Sequence, residues 1–162
     1  MSERTRVTTW DDPLETLAGV RGMSGLESLR AMIAGELPPA PIGQTMGFRL
    51  VEVEPGRATF AAEPAEFHYN PIGVVHGGFA LTLLDSAMGC ALHSTLEAGV
   101  AYTTLEVKAN FVRPLTSDTG EVRCTGIVVH GGRTVATAEG RIEGADGKLY
   151  AHGTSTLLIL AS

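Results

Sequence analysis

Asp85 is the only side chain charged at neutral pH between Gly77 and Leu96. It stands in an apolar run, eight residues after the first glycine of His76-Gly77-Gly78. A carboxylate among apolar residues is costly unless it is hydrogen-bonded, paired or solvated. Two readings are open. Asp85 points out through a gap into water, or it is a catalytic carboxylate whose ionisation is tuned by its site. No Arg or Lys lies in the same run, so any partner must come from a strand or from another chain. His76-Gly77-Gly78 opens the predicted helix that carries Asp85. First-turn N–H groups have no intrahelical acceptor and lie at the positive end of the helix dipole. Two glycines let a ligand come close to that backbone, which makes an oxyanion or carbonyl site. The plainer reading is a tight strand-to-helix turn with no ligand. Asn70, in Asn70-Pro71-Ile72-Gly73, adds an amide to the turn just before it.

Helix geometry limits what these residues can do together. Eight residues of α-helix span about 12 Å. A base or nucleophile must come within about 3–4 Å of the carbon whose oxygen the N–H group holds. One helix cannot supply both groups to one site. Two helices packed antiparallel about a two-fold axis can, with Gly77 of one chain facing Asp85 of the other. If the two groups cooperate, the spacing favours a composite site at a dimer interface.

The surrounding elements are consistent with a helix held inside a sheet. Residues 1–23 read as a loose leader, and 24–162 as a single domain. In "SGLESLRAMIAGELPPAP", Ser24 and Glu27 form a capping-box pattern and Leu26, Leu29, Met32 and Ile33 one stripe. Pro38, Pro39 and Pro41 end that helix. "GFRLVEVEPGRATFAAEP" alternates around a Pro-Gly turn and predicts a hairpin. From Gly77 the sequence predicts a helix that is apolar all round and therefore buried, with Phe79, Leu83, Ala87, Cys90 and Ser94 on one side and Leu81, Leu84, Met88 and Leu92 on the other. Gly99 is its expected stop. Three long antiparallel strands follow. "HGGR" joins one pair, and Asp146-Gly147 joins another as a type I′ turn. The order predicts an α+β chain, one curved antiparallel sheet around one buried helix.

Composition sets outer bounds. The 162 residues are 44% hydrophobic and 19% charged, with net charge -6 and no long basic cluster. This is a globular balance that argues against nucleic acid as a partner. Cys90 and Cys124 lie in apolar contexts and read as reduced buried thiols. No apolar run reaches about 18 residues and no secretory h-region opens the chain, so the expectation is a cytoplasmic protein with no membrane association. His68, His93, His130 and His152 show no metal-ligand spacing, and no metal is expected.

Asn70, His76-Gly77-Gly78 and Asp85 together resemble the signature of hotdog-fold acyl-CoA thioesterases, specifically the PaaI-type and 4-hydroxybenzoyl-CoA-type branch. The likeness runs from about Gly43 to Leu160 and includes "VKANFVRP" and "GGRTVATAEGRI". It implies a hotdog fold, to which an N-terminal helix is added in part of the family. By the resemblance, the Gly77 N–H polarises the thioester carbonyl, Asp85 attacks the thioester or activates water, and Asn70 and His76 position the water or the carbonyl. Thr104 falls where several members carry a hydroxyl near the carboxylate. In one branch a Thr stands a turn after the carboxylate. Here that place is Gly89, so that hydroxyl's role is absent or passes to Ser86 or Thr104. Gly78 belongs to the same substrate-binding turn. Arg113 and Arg133 are candidates for the coenzyme A phosphates. Glu106 is set aside as lying on the other face of its strand.

The expected reaction is hydrolysis of a medium-chain or aryl acyl-CoA to the free acid and coenzyme A. Coenzyme A is then part of the substrate, and no other cofactor is required. Phe67, Tyr69, Phe79 and Tyr102 are the aromatics near enough to line a pocket. The expected assembly is a dimer or a dimer of dimers. A non-catalytic acyl-CoA-binding module on the same fold is the alternative; a hotdog dehydratase would carry a different His-containing pattern.

Overall fold

In the computed structural model, which describes residues 3–160, a six-stranded antiparallel sheet wraps the helix that carries Asp85. The strands are β1 (Phe48–Glu54), β2 (Arg57–Ala62), β3 (Ala101–Phe111), β4 (Val122–Gly131), β5 (Val135–Gly144) and β6 (Leu149–Leu160). Their order in the sheet is β1-β2-β4-β5-β6-β3. The central helix, α4, is Gly77–His93. This is the hotdog fold that the resemblance implies. No helix among the described residues is long and apolar enough to cross a membrane.

Period-two alternation turns small residues of the sheet toward the helix. Gly126 on β4, Ala136, Ala138 and Gly140 on β5, and Ala151 and Gly153 on β6 are all buried. Their size lets α4 lie close against the sheet. At Gly126 the approach is closest: a methyl group there would stand 2.3 Å from the Ala87 carbonyl oxygen. Phe79, Leu83, Leu84, Met88 and Leu92 of α4 fill the remaining volume against Val122, Cys124, Ile142 and Leu157.

Several elements depart from the sequence expectation, each for a local reason. The leader contains a helix, α1 (Pro13–Gly19), started by Pro13 and by the Asp12 side chain, which accepts the Leu14 N–H at 2.9 Å. Helix α2 (Gly25–Ala34) has the expected Ser24–Glu27 capping box and stops at Gly35, φ 74°. Pro41 then opens a further helix, α3 (Pro41–Met46), because Pro fits the first helical position. Four strands follow α4, not three, since β3 is separate from the β4–β5–β6 meander.

The β5–β6 connection is not type I′, because only Gly147 has positive φ (75°). Its N–H donates to Gly144 O at 2.9 Å, a type I turn closed by a glycine bulge. Helix α4 ends at His93, well before Gly99. There the Ser94 Oγ lies 2.7 Å from Ala91 O and accepts the Gly56 N–H at 2.9 Å, tying the helix end to the β1–β2 turn. In a regular strand Glu106 would share a face with Thr104; a bulge between them turns Glu106 outward instead.

Leu81 is also not buried; it is 37% exposed. Gly78, Leu81, Thr82 and Asp85, spaced at helical intervals, form the stripe of α4 that the sheet leaves partly open. β3 lies at an edge of the sheet, and its outer side has no neighbour among the described residues. Gly126→Ala should therefore be costly, because the added methyl meets helix backbone that cannot turn aside. We expect a loss of about 1–3 kcal/mol, the range for overpacking, in urea unfolding. A variant as stable as the wild type would show that α4 is not seated this closely.

Candidate active site

Asp85 is part-buried and accepts a hydrogen bond from the Thr104 hydroxyl, Oγ1 to Oδ1 2.9 Å. The donor comes from β3, as an aspartate without a cation on its own helix required. Among the described residues no Lys or Arg pairs with it. Asp85 faces a cavity of about 440 Å³, together with Ser86, Gly89, Cys90, Tyr102 and Thr104. The far wall is apolar and comes from α2, α3 and the hairpin: Leu29, Met32, Ile33, Ile42, Leu50 and Phe60. Asp85 is thus neither free in water nor sealed in the core.

The start of α4 is built differently. His76 caps the helix, its Nδ1 accepting the Gly78 N–H at 2.8 Å. The Phe79 N–H donates to His76 O at 3.0 Å. The Gly77 N–H, at the first helical position, has no acceptor within its helix and none elsewhere among the described residues. Of the two glycines, Gly77 carries the free donor, and Gly78 is occupied by the cap. A methyl group on Gly77 would meet the Phe111 ring at 3.2 Å. Gly77, His76, Phe111 and Arg113 line a second cavity of about 290 Å³ that contains no Asp85.

The remaining candidates divide between these places. Arg113 is exposed at the Gly77 cavity, where its guanidinium donates to Leu149 O at 2.5 Å. Arg133 is exposed in the β4–β5 loop and lines neither cavity. Asn70 also lines neither; its Oδ1 accepts the Ile72 N–H at 3.0 Å and holds the turn that leads toward α4. Of the four aromatics considered, only Tyr102 lines the Asp85 cavity. Phe79 is buried in the core, and Phe67 and Tyr69 lie around a separate hollow beside His76. His68 and His93 serve structure: His68 Nε2 lies 2.8 Å from Met46 O, and His93 Nε2 lies 3.2 Å from Ser28 Oγ.

A carboxylate held by one hydroxyl in a largely apolar cavity can take a proton from water or attack a carbonyl carbon. A free N–H at a helix start can hold the carbonyl oxygen. The profile of the Thioesterase superfamily matches residues 72–151, which include the Gly77 donor, Asp85 and β3. Human acyl-coenzyme A thioesterase 13 is 31% identical over 133 residues, covering 80% of this chain and 93% of that protein. The 1,4-dihydroxy-2-naphthoyl-CoA hydrolase of Listeria monocytogenes is 27% identical, covering 72% of this chain and 93% of that protein. Among solved structures, a variant of the phenylacetic acid degradation protein PaaI from Thermus thermophilus is 30% identical. It superposes with TM-score 0.68 over 75% of this chain and 100% of that one. The chain belongs to the hotdog thioesterase superfamily, and its reaction is thioester hydrolysis.

Cys90 lines the same cavity as Asp85, where its surroundings disfavour the thiolate. Burial, and then the neighbouring Asp85 charge, push its thiol up to about 12. Burial raises the Cys124 thiol as well. Both thiols are therefore poor nucleophiles in the folded chain at pH 8. Native protein treated with iodoacetamide at pH 8 should gain no mass, whereas unfolded protein should gain two adducts. Rapid alkylation of the folded chain would show that the Cys90 environment is not as described.

Proposed function

We propose that the chain hydrolyses a medium-chain or aryl acyl-CoA at a site shared between two subunits. The observation that carries this reading is the separation of the two reactive groups. In one chain the Asp85 carboxylate and the free Gly77 N–H line different cavities. They lie toward opposite ends of one unpaired edge: Thr104 of β3 touches Asp85, and Phe111 of β3 packs on Gly77.

Pairing of β3 with a second β3 closes that gap. A two-fold axis crossing the strand near Val107 and Lys108 puts Thr104 of one chain opposite the partner's Phe111. Asp85 then stands beside the partner's Gly77, and the arrangement occurs twice per dimer. The same pairing satisfies the open β3 edge. It also covers the stripe of α4 centred on Leu81, the midpoint between Gly77 and Asp85.

In this dimer the thioester carbonyl oxygen accepts from the partner's Gly77 N–H, near the positive end of the helix dipole. Asp85 acts on the carbonyl carbon from the other side. As a base it takes a proton from water while the oxygen attacks. The tetrahedral intermediate then expels the coenzyme A thiolate, which recovers the proton. As a nucleophile it adds to the carbonyl carbon and the C–S bond breaks, giving a mixed anhydride and the coenzyme A thiolate. Water then opens the anhydride to the free acid and regenerates the Asp85 carboxylate, and its proton goes to the thiolate. Thr104 holds Oδ1 and leaves Oδ2 for either step. Arg113, beside Gly77, is placed to meet a coenzyme A phosphate, and the aliphatic wall from α2 and α3 suits an acyl group. A module that only bound acyl-CoA would gain nothing from a carboxylate held in this cavity.

Thiol release from a panel of acyl-CoAs tests the reaction itself. Asp85→Asn should lower kcat by a factor of about 10²–10⁴ with the fold intact, the range for loss of a general base. Wild-type turnover would remove Asp85 from the mechanism. Mixing tests the sharing. Asp85→Asn and Gly77→Pro, which lacks the backbone N–H, should each be nearly inactive alone. A mixed dimer has one site with both defects and one with neither, so co-refolding should restore roughly half the wild-type rate per heterodimer. If folded, exchanged subunits recover nothing, both groups come from one chain. A thermal melt and sedimentation of the Gly77→Pro variant must first show that it folds and dimerises.

A further inference from the structure

We infer that the acyl pocket has a second compartment, closed off by Tyr102, and that this ring sets the longest acyl tail the enzyme accepts. The inference rests on the acyl-CoA reading above and adds a chain-length determinant to it. A cavity of about 410 Å³ lies beyond the Asp85 cavity, between α1, α2, the end of α4 and the start of β3. Leu17, Val20, Met23, His93 and Val100 line it. Tyr102 lines both this cavity and the one that holds Asp85. The two hollows meet at Tyr102, the residue their linings share.

The ring is held by shape. Gly89 stands one helical turn after Asp85, and a methyl group there would come within 2.9 Å of the Tyr102 hydroxyl. Glycine at this place is what gives the phenol room to lie against α4. On its other side the ring leans on His93, with centroids 5.7 Å apart. No hydrogen bond holds the Tyr102 hydroxyl among the described residues. The partition is therefore a matter of volume, and the hydroxyl is dispensable to it. Beyond the ring the compartment suits an alkyl tail. Leu17, Val20, Met23 and Val100 give it an apolar surface, with Arg21, Ser28 and Glu97 also in the lining, and burial lowers the pKa of His93 and favours the neutral imidazole. Helix α1, in the N-terminal segment, supplies part of this lining through Leu17.

The test is kcat/KM over saturated acyl-CoAs of increasing length. Wild type should show a cut-off in chain length. Tyr102→Ala should move that cut-off outward, to longer chains. For chains just beyond the old limit kcat/KM should rise roughly tenfold or more. Tyr102→Phe keeps the ring and should keep the wild-type profile. Val100→Trp in the Tyr102→Ala background refills the far compartment and should bring the cut-off back. Tyr102→Val takes the place of Tyr102→Ala should a thermal melt show the alanine variant unfolded. An unchanged profile in the truncated variant would overturn the inference. So would a shift in Tyr102→Phe equal to that in Tyr102→Ala, or an extended profile that Val100→Trp leaves untouched. A wild-type enzyme that cleaves no acyl-CoA would instead sink the proposed function, so the two failures are distinguishable.

Discussion

A rigid helix sets the backbones of Gly77 and Asp85 about 12 Å apart, too far for one helix to bring the Gly77 N–H and the Asp85 carboxylate to the same carbonyl. Much of the structure is arranged around this separation. The free donor and the carboxylate open into different cavities. β3 runs past both, touching Asp85 through Thr104 and covering Gly77 with Phe111. The outer edge of β3 and the Leu81 stripe of α4 have no partner among the described residues. A two-fold axis through them is the arrangement that would turn two half-sites into whole ones, which is why the proposed chemistry and the proposed assembly stand or fall together.

The position of α4 depends in turn on small residues in the sheet. Gly126 and Gly140 are buried beneath the helix, where larger side chains would press on Ala87, Leu84 and Met88. This seating lets a β3 hydroxyl reach the Asp85 carboxylate. The same logic recurs at Gly89, where the missing side chain makes room for the Tyr102 ring. Glycine thus serves close approach at both places, without any need for positive φ.

The central helix, the β1–β2 hairpin and the capping box of α2 were legible because each has a local signature: an apolar run, alternation around Pro-Gly, and Ser24 with Glu27. The dependence of Asp85 on a donor outside its helix was legible from charge alone, since no cation lies near it in sequence. Other features are settled at a distance. Helix α4 ends at Ser94 because that hydroxyl is shared with the β1–β2 turn, a contact between residues far apart in the chain. Leu81 looks like a core residue by type, and only the placement of the sheet shows it open. That α2 and α3 roof the carboxylate's cavity could not be read from their stripes, which show that a helix has an apolar face but not what that face covers. Asn70 has a site role by resemblance, and its Oδ1 also holds the turn before α4, a contact its type allowed but did not specify.

The most direct measurement is a structure of the assembled protein with a non-hydrolysable acyl-CoA analogue bound. The account predicts that the analogue's carbonyl oxygen accepts the N–H of the partner's Gly77, while Asp85 of the first chain lies within about 3–4 Å of the carbonyl carbon. An analogue held by Gly77 and Asp85 of one chain, or bound with full contacts to a monomer, would contradict it.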